Sequence, residues 1–410
     1  MIHPVFKESS TTTKVRVVFD ASCKTSSGFS INNKQLVGPV VQEDLLSIVM
    51  RFRTHPIAIV ADIEKIYRQI QLHPEDLVRG EGANYPAAVD VVKHDFYVDD
   101  LLSGASNVQS AIRRCKEVSA MLASAGFPLK KWASNFVEVL AEIPEEDLAL
   151  SPLHDLQDEQ SVYTLGLVWE PKSDMMRFKV QLPLPESVLT KRKVMSYFAQ
   201  IFDPLGLVGP IITVAKLFMQ RLWALKTDIG DSYEWDRPLP PHLQSEWKLF
   251  HGTLNAISVI RIPRFVSQAI IKSTVLNFFS DASEKAYGVC CYVRLESAEG
   301  IRVRLLTSKS KVAPLATRHS IAYLELCAAV LSVNLYEKVM NSLKVSCVSL
   351  IRQSFSIGFN RPHPVVRRSW QIVFPQFNPP PHPVLGDTFP ETPTLQISSL
   401  EVSTQLISGI

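Results

Sequence analysis

Two apolar runs that end on carboxylates constrain this chain most. PIAIVADIE (56–64) reads as a buried strand that delivers Asp62 at its end. HDFYVDDLLSG (94–104) reads as two short apolar strands around Asp99 and Asp100, hence a hairpin with both acids at its turn. Laid side by side, these strands gather three acids at one sheet end. Such a cluster of hard oxygens suits magnesium, and nucleotidyl transfer uses two divalent cations held this way.

The surrounding pattern is mixed. KVRVVFD (14–20) alternates at period two and predicts a strand, and QEDLLSIVMRF (42–52) has helical spacing. Asn107 to Ala125 predicts a helix, capped by a polar residue and stopped by Gly126. A mostly helical stretch follows from about Leu189 to Ala256. VLNFFSDASEKAYGVCCYVR (275–294) predicts a β-hairpin, with a further strand near Ile301–Ser308 and a helix from about Ile321 to Val339. After about Val345, prolines cluster and periodicity fades, the texture of a disordered tail. The fold class expected is α+β.

At 410 residues the chain can hold two or three domains. A net charge of +3 is too small to argue for a nucleic-acid partner, so that case rests on local sites. The six cysteines (Cys23, Cys115, Cys290, Cys291, Cys327, Cys347) show no zinc or disulfide spacing, which favours reduced thiols. With no signal peptide and no apolar run long enough to span a bilayer, the expectation is a soluble cytoplasmic or nuclear protein with no membrane partner.

KESSTTTKVRVVFDAS, LVGPVVQEDLLSIVMRFR, ADIEKIYRQIQLHPED, FYVDDLLSGA and LKKWASN, in this order, resemble the conserved blocks of the Pol polyprotein of Bel/Pao-type LTR retrotransposons. The resemblance covers roughly residues 1–340. It implies a partial reverse-transcriptase fingers and palm over 1–150, of the DNA/RNA polymerase type, with Asp62, Asp99 and Asp100 as catalytic Mg2+ ligands. It further implies that Tyr67 is the steric gate selecting deoxynucleotides, that Arg16 grips the incoming triphosphate, and that Lys130 or Lys131 lies near the leaving pyrophosphate. YTLG (163–166) resembles the primer-grip turn. Taken alone, Tyr67 reads equally as core, Arg16 as a strand-edge ion-pair residue and Lys130 as a solvated charge.

YFAQIFDPLGLVGPIITVAKLFMQRLW (197–223) and YEWDRPLPPHLQSEWKLF (233–250) resemble the same family, in a thumb or helical connection region, 151–262, whose family name refers to a Pao retrotransposon peptidase. No Asp-Thr/Ser-Gly turn of an aspartic protease is present, and Asp203 reads as a turn or cap before Pro204. FFSDASEKAYGVCCYVR (278–294) and IAYLELCAAVLSV (321–333) resemble the first strand pair and helix of RNase H. This implies an incomplete RNase H-like sheet over 263–345, with Asp281 and Glu325 as catalytic metal-binding acids.

Two departures from the family pattern bear on activity. The interval from Asp62 to Asp99 is 37 positions, too few for the remaining fingers and the helix that supports the templating pair. The block that carries the third RNase H acid is missing from the tail, 346–410. Reading that tail in the shifted codon frame permits the family's missing blocks, in order, at 349–360, 369–374 and 386–402. Translation therefore leaves the ancestral frame between about Leu343 and Ser349. The expectation is a degenerate Pol fragment, ancestrally an RNA-directed DNA polymerase with RNase H acting on an RNA/DNA template-primer, and catalytically inactive as written. The alternatives are an inactive nucleic-acid-binding remnant, a misfolding pseudogene product, or an active enzyme whose gap and tail are gene-model errors. Oligomeric state is not legible.

Overall fold

A computed structural model describes residues 2–6, 15–36, 42–64, 74–149, 161–178, 180, 188–226, 230, 232–267, 273–315, 319–343 and 353–358. Tyr67 and most of the 346–410 tail lie outside these. The chain forms two compact units, Met1–Val41 and Gln42–Ile410. In the first, β1 (Ile2–Phe6) pairs antiparallel with β2 (Val15–Phe19), the strand expected over 14–20. A short helix α1 (Ile31–Lys34) follows, started by a reciprocal capping box between Ser30 and Asn33.

The second unit begins with α2 (Leu45–Phe52), capped by Asp44, whose carboxylate accepts the Ser47 N–H at 3.1 Å. Next come β3 (Ile57–Ile63), α3 (Pro74–Glu81), α4 (Pro86–His94), β4 (Phe96–Tyr97) and β5 (Asp100–Ala105). Then follow α5 (Val108–Ser124), β6 (Leu129–Ser134) and α6 (Val137–Leu140). As expected, Asn107 caps α5, and Gly126 ends it with φ +81°. The strands form an antiparallel sheet in the order β4-β5-β3-β6. Ile57, Ile59, Ala61 and Leu101 pack on one side with α4 and α5, while Ala58, Val60 and Leu102 join a core with α2 on the other. Burial on both faces explains why the β3 run is continuously apolar rather than alternating.

A second sheet, in the order β10-β9-β8-β7, contains β7 (Val162–Thr164), β8 (Leu167–Glu170) and β9 (Met175–Arg177). Before its last strand come α7 (Lys191–Ala199), α8 (Gly209–Ala224) and α9 (Pro241–Leu254), which match the expected helical stretch; β10 (Arg261–Pro263) then completes the sheet. The helices pack around Trp247, fully buried among Tyr197, Phe198, Phe218 and His251. Aromatic pairs of this kind contribute about 0.5–1.5 kcal/mol each beyond the area they bury.

The third sheet contains β11 (Ser273–Ala282), β12 (Ala286–Ser297) and β13 (Gly300–Val312), joined as consecutive antiparallel neighbours, with α10 (Ile321–Leu343) packed on β11 and β12. The final strand, β14 (Gln353–Gly358), lies parallel to β11, giving the order β13-β12-β11-β14. This corrects the expectation of an unstructured tail at that point. The outer edge of β11 carries a row of backbone donors and acceptors, and any extended segment returning past α10 can pair with it. The rest of the tail, 359–410, lies outside the described residues.

Two buried arginines that the sequence did not single out fasten the sheets together. Arg264 makes a bidentate pair with Asp174 (2.6 and 2.9 Å), donates to the Phe52 and His55 carbonyls and stacks on Phe52 and Trp169. Arg53 donates to the carbonyls of Arg264, Leu305 and Leu306. Among the described residues no helix is long and apolar enough to cross a membrane. The five described cysteines are all free thiols.

Candidate functional site

Strand register brings the first group of acids together. Asp62 is the direct cross-strand partner of Asp100, and facing residues in an antiparallel pair have Cα atoms about 4.5–5.5 Å apart. Period-two alternation puts both on the face of Ala58, Val60 and Leu102. Asp99 occupies the tight turn between β4 and β5, and its carbonyl accepts the Ile63 N–H at 2.8 Å. Val98, also in that turn, has φ +59°. A β-branched residue in the left-handed region stores strain of order 1–3 kcal/mol, which surrounding structure must hold. Here the strain sits beside the paired aspartates.

Electrostatics agree with the geometry. Burial, then the neighbouring Asp99, push the Asp100 carboxyl up to about 6; Thr164 and Lys131 act in the opposite direction, and Asp62 adds to the rise. The Thr164 hydroxyl donates to Asp100 Oδ1 at 3.1 Å. Lys131 forms an ion pair with Asp62. It reaches that acid because β6 carries a bulge against β3: Val60 faces Ala133 and Asp62 faces Lys130, leaving Lys131 and Trp132 opposite one residue. Lys131 takes up the bulge with φ +56°. Lys130 turns elsewhere and pairs with Asp147.

Asp62, Asp100 and Lys131 line a cavity of about 260 Å³ with Val162, Tyr163 and Thr164 from the β7–β8 hairpin. The donors, all carboxylate oxygens, are of the type a hard divalent cation takes. Among the described residues, however, no three acid, histidine or cysteine side chains converge closely enough to hold a metal ion. The Lys131 ammonium is what balances Asp62.

The second group of acids lies on the third sheet. Asp281 is near the end of β11, and Glu325 sits in the first turns of α10, only 3% exposed. Both Glu325 carboxylate oxygens are shut off from solvent without a hydrogen-bond partner. Burial first, and then the facing Asp281, push Glu325 up to about 7, and the Ala282 amide opposes the rise. An orphaned buried carboxylate beside a second acid fits a missing cation. The register sets Asp281 opposite Gly358 of β14, a strand whose sequence, QSFSIG, offers no third carboxylate.

Of the other residues singled out, Arg16 lies on β2, in the N-terminal unit, opposite Val5. Tyr67 lies outside the described residues. Asp203 is a cap, as expected: its two oxygens accept the Leu207 and Val208 N–H groups at 2.8 Å ahead of α8. Thr164 escaped sequence reasoning. The YTLG string suggested a turn there, but no pattern told that its hydroxyl would reach an acid 64 positions away.

Residues 190–354 match the family described as Pao retrotransposon-like RNaseH-like domain. No curated protein matches the chain. Among solved structures, the chain is similar to the foamy viral protease-reverse transcriptase in complex with an RNA/DNA hybrid: 13% identity, TM-score 0.47, covering 87% of this chain and 44% of that one. It is also similar to the foamy viral protease-reverse transcriptase dRH in complex with double-stranded DNA: 14% identity, TM-score 0.43, covering 88% and 65%. The chain thus spans less than half of the first of these proteins and under two thirds of the second. The matched segment runs from the cap of α7 through the helical region to the third sheet, α10 and the first residues of β14, so this part of the chain is similar to a Pao retrotransposon-like RNaseH-like domain.

Proposed function

We propose that this chain is a retrotransposon Pol remnant that binds nucleic acid but no longer synthesises DNA or cleaves hybrids. The observation that carries the reading is the pairing of Asp62 opposite Asp100, with Asp99 at the turn, on a sheet whose two faces pack mainly into apolar cores. A bound pair of Mg2+ ions would supply activation of the attacking oxygen and stabilisation of the leaving group. Asp62, Asp99 and Asp100 would be the ancestral ligands, but among the described residues they do not converge into a metal site, and Lys131 occupies Asp62 instead. For a cation to settle against Asp62, Lys131 must swing away, and it is then free to meet a phosphate.

The same region accounts for the loss of synthesis. Positioning of nucleotide and template falls to elements between Asp62 and Asp99, yet α3 and α4 are the helices described in that interval. A misplacement of about 1 Å in reacting groups can cost on the order of 100-fold in rate. In the RNaseH-like domain, Asp281 and Glu325 would share a cation without a third carboxylate from β14. Two ligands on a site that ordinarily draws on more hold a hard cation weakly.

The test uses the full chain. Filter binding to an RNA/DNA primer-template should give an affinity that falls steeply with salt. Primer extension on an RNA template should give no product. Extension that is lost in Asp99→Asn overturns the reading.

A further inference from the structure

We infer that the start of α7 and the loop 232–239 form a docking site for single-stranded nucleic acid, with Trp223 and Trp235 stacking on bases and nearby cations meeting phosphates. The inference deepens the proposed function and rests on it.

The charge pattern points to an anion. Lys191, Arg192 and Lys193 fill the first turn of α7, which holds no acid. Cations there meet the positive end of the helix dipole, a placement that is unfavourable for folding alone and favourable once an anion is bound. Lys191 is only 6% exposed, and burial, then the nearby Lys226, lower its ammonium below the ordinary lysine value. Among the described residues no acid or hydrogen-bond acceptor meets that ammonium. It lies 5.7 Å from the centre of the Tyr233 ring, over which the Arg237 guanidinium also sits at 5.0 Å. Among the described residues of this patch, Glu234 and Asp236 stand against the three α7 cations, Lys226 and Arg237. Arg192 already takes both oxygens of Asp236, at 2.7 and 2.9 Å. The surplus is positive.

Aromatic rings lie beside these cations. Single exposed apolar side chains need no explanation. Here Trp223, Met195 and Trp235 are 47%, 46% and 43% exposed, and the last two line an open groove of about 350 Å³ with Arg192, Ser196 and Ala199. Trp223 and Trp235 meet at right angles with ring centroids 5.5 Å apart. Such a contact uses the face of one ring and the edge of the other, so it consumes one face where flat stacking would consume two. The loop is braced against α7. The Trp235 carbonyl accepts the Arg192 N–H at 3.2 Å, the Leu189 carbonyl accepts the Leu239 N–H at 2.8 Å, and Thr190 bridges to Pro238. Fixed aromatic platforms within a cationic rim suit unpaired bases of any sequence, whereas a duplex keeps its base faces inside its own stack.

The experiment titrates the full chain into a fluorescein-labelled oligothymidylate of about 20 nucleotides, longer than one such site. An abasic strand and a blunt duplex of equal length run beside it, all read by fluorescence anisotropy. Trp235→Ala should weaken oligothymidylate binding on the order of 5- to 150-fold, and Trp223→Ala should act in the same direction. Trp235→Phe keeps a ring and should stay within about threefold of the parent. Neither alanine change should alter binding of the abasic strand or the duplex. Arg237→Gln should lessen the dependence of log affinity on log salt by about 0.7 for the single strand. Trp223→Ala, on a different element, decides the matter if Trp235→Ala melts early. Folded alanine variants that bind oligothymidylate as the parent does, or that lose the abasic strand and duplex equally, overturn the inference alone. So does a parent that holds the primer-template but not oligothymidylate. A parent that binds no nucleic acid overturns the proposed function and this inference with it.

Discussion

Replacing Glu325 with glutamine should stabilise the cation-free protein at alkaline pH, against the usual rule that core substitutions destabilise. The side chain is 3% exposed, faces Asp281, and has both oxygens unpaired. Its folded-state value of about 7 stands above the ordinary 4.5. Between those two pH values the unfolded chain releases the proton while the folded chain keeps it, so stability falls as pH rises through that window and the full penalty remains above about 7. At about 1.4 kcal/mol per pH unit the span corresponds to roughly 3 kcal/mol. Glutamine matches the shape and carries no charge. Urea unfolding should therefore show Glu325→Gln more stable by up to about 3 kcal/mol at pH 8 and equal to the parent near pH 4. Mg2+ or Mn2+ should raise the parent towards the variant and leave the variant unmoved, because ligand binding to the folded state stabilises by mass action. A difference that does not change with pH, or a variant less stable at pH 8, refutes the claim of a buried, strained carboxylate.

Arg264→Met should lower the urea midpoint by an amount equivalent to about 3–5 kcal/mol, since it leaves Asp174 without its partner and the Phe52 and His55 carbonyls without a donor. Gly206→Ala should loosen α8 from β13: Gly206 has φ +71° and its Cβ would fall 2.1 Å from the Ser308 carbonyl oxygen, so amide exchange across β13 should accelerate. Val98→Gly should raise stability by about 1 kcal/mol by relieving the left-handed valine, measured as a shift in urea midpoint with unchanged slope.

What the sequence made legible follows from what each signal depends on. The β3 and β5 strands, their acids and helix α5 were readable because apolar runs, a polar cap and a glycine stop are local properties of the chain. The facing of Asp62 and Asp100 followed from the hairpin and needed only that β3 lie beside β5. Lys131 was separable from Lys130 only after the bulge was seen, since one extra residue in a strand decides which of two neighbouring side chains turns to the acid face. Thr164 and Arg264 were illegible for a different reason. Their partners lie 64 and 90 positions away, and no local pattern encodes a contact over such a separation. β14 was missed because it pairs with a waiting edge through its backbone, which asks little of side-chain periodicity.

The motif blocks divide the chain near residues 150, 262 and 345, yet the packing of Gln42–Ile410 runs through the first two of those divisions. One apolar core includes Ile48 and Phe52 of α2, Val60 and Leu102 of the acidic sheet, Trp169 of β8, Phe278 of β11 and Leu335 of α10. Ser47 on α2 meets Ser342 on α10 at 2.7 Å, and Lys338 pairs with Asp44. The two buried arginines carry this further. Arg53 and Arg264 are shut away from water, and burial, with Arg264 as a neighbour, lowers Arg53 to about 9. Taking two cations out of water is costly unless acceptors surround them. Those acceptors come from α2 and the chain after it, from β10, from Asp174 and from β13. Separating the sheets would strand the arginines and the carbonyls together, so the acidic sheet and the RNaseH-like sheet should unfold as one cooperative body. A chain cut between them should expose both the core face of α2 and the outer strand β13, and neither half should reach the stability of the whole.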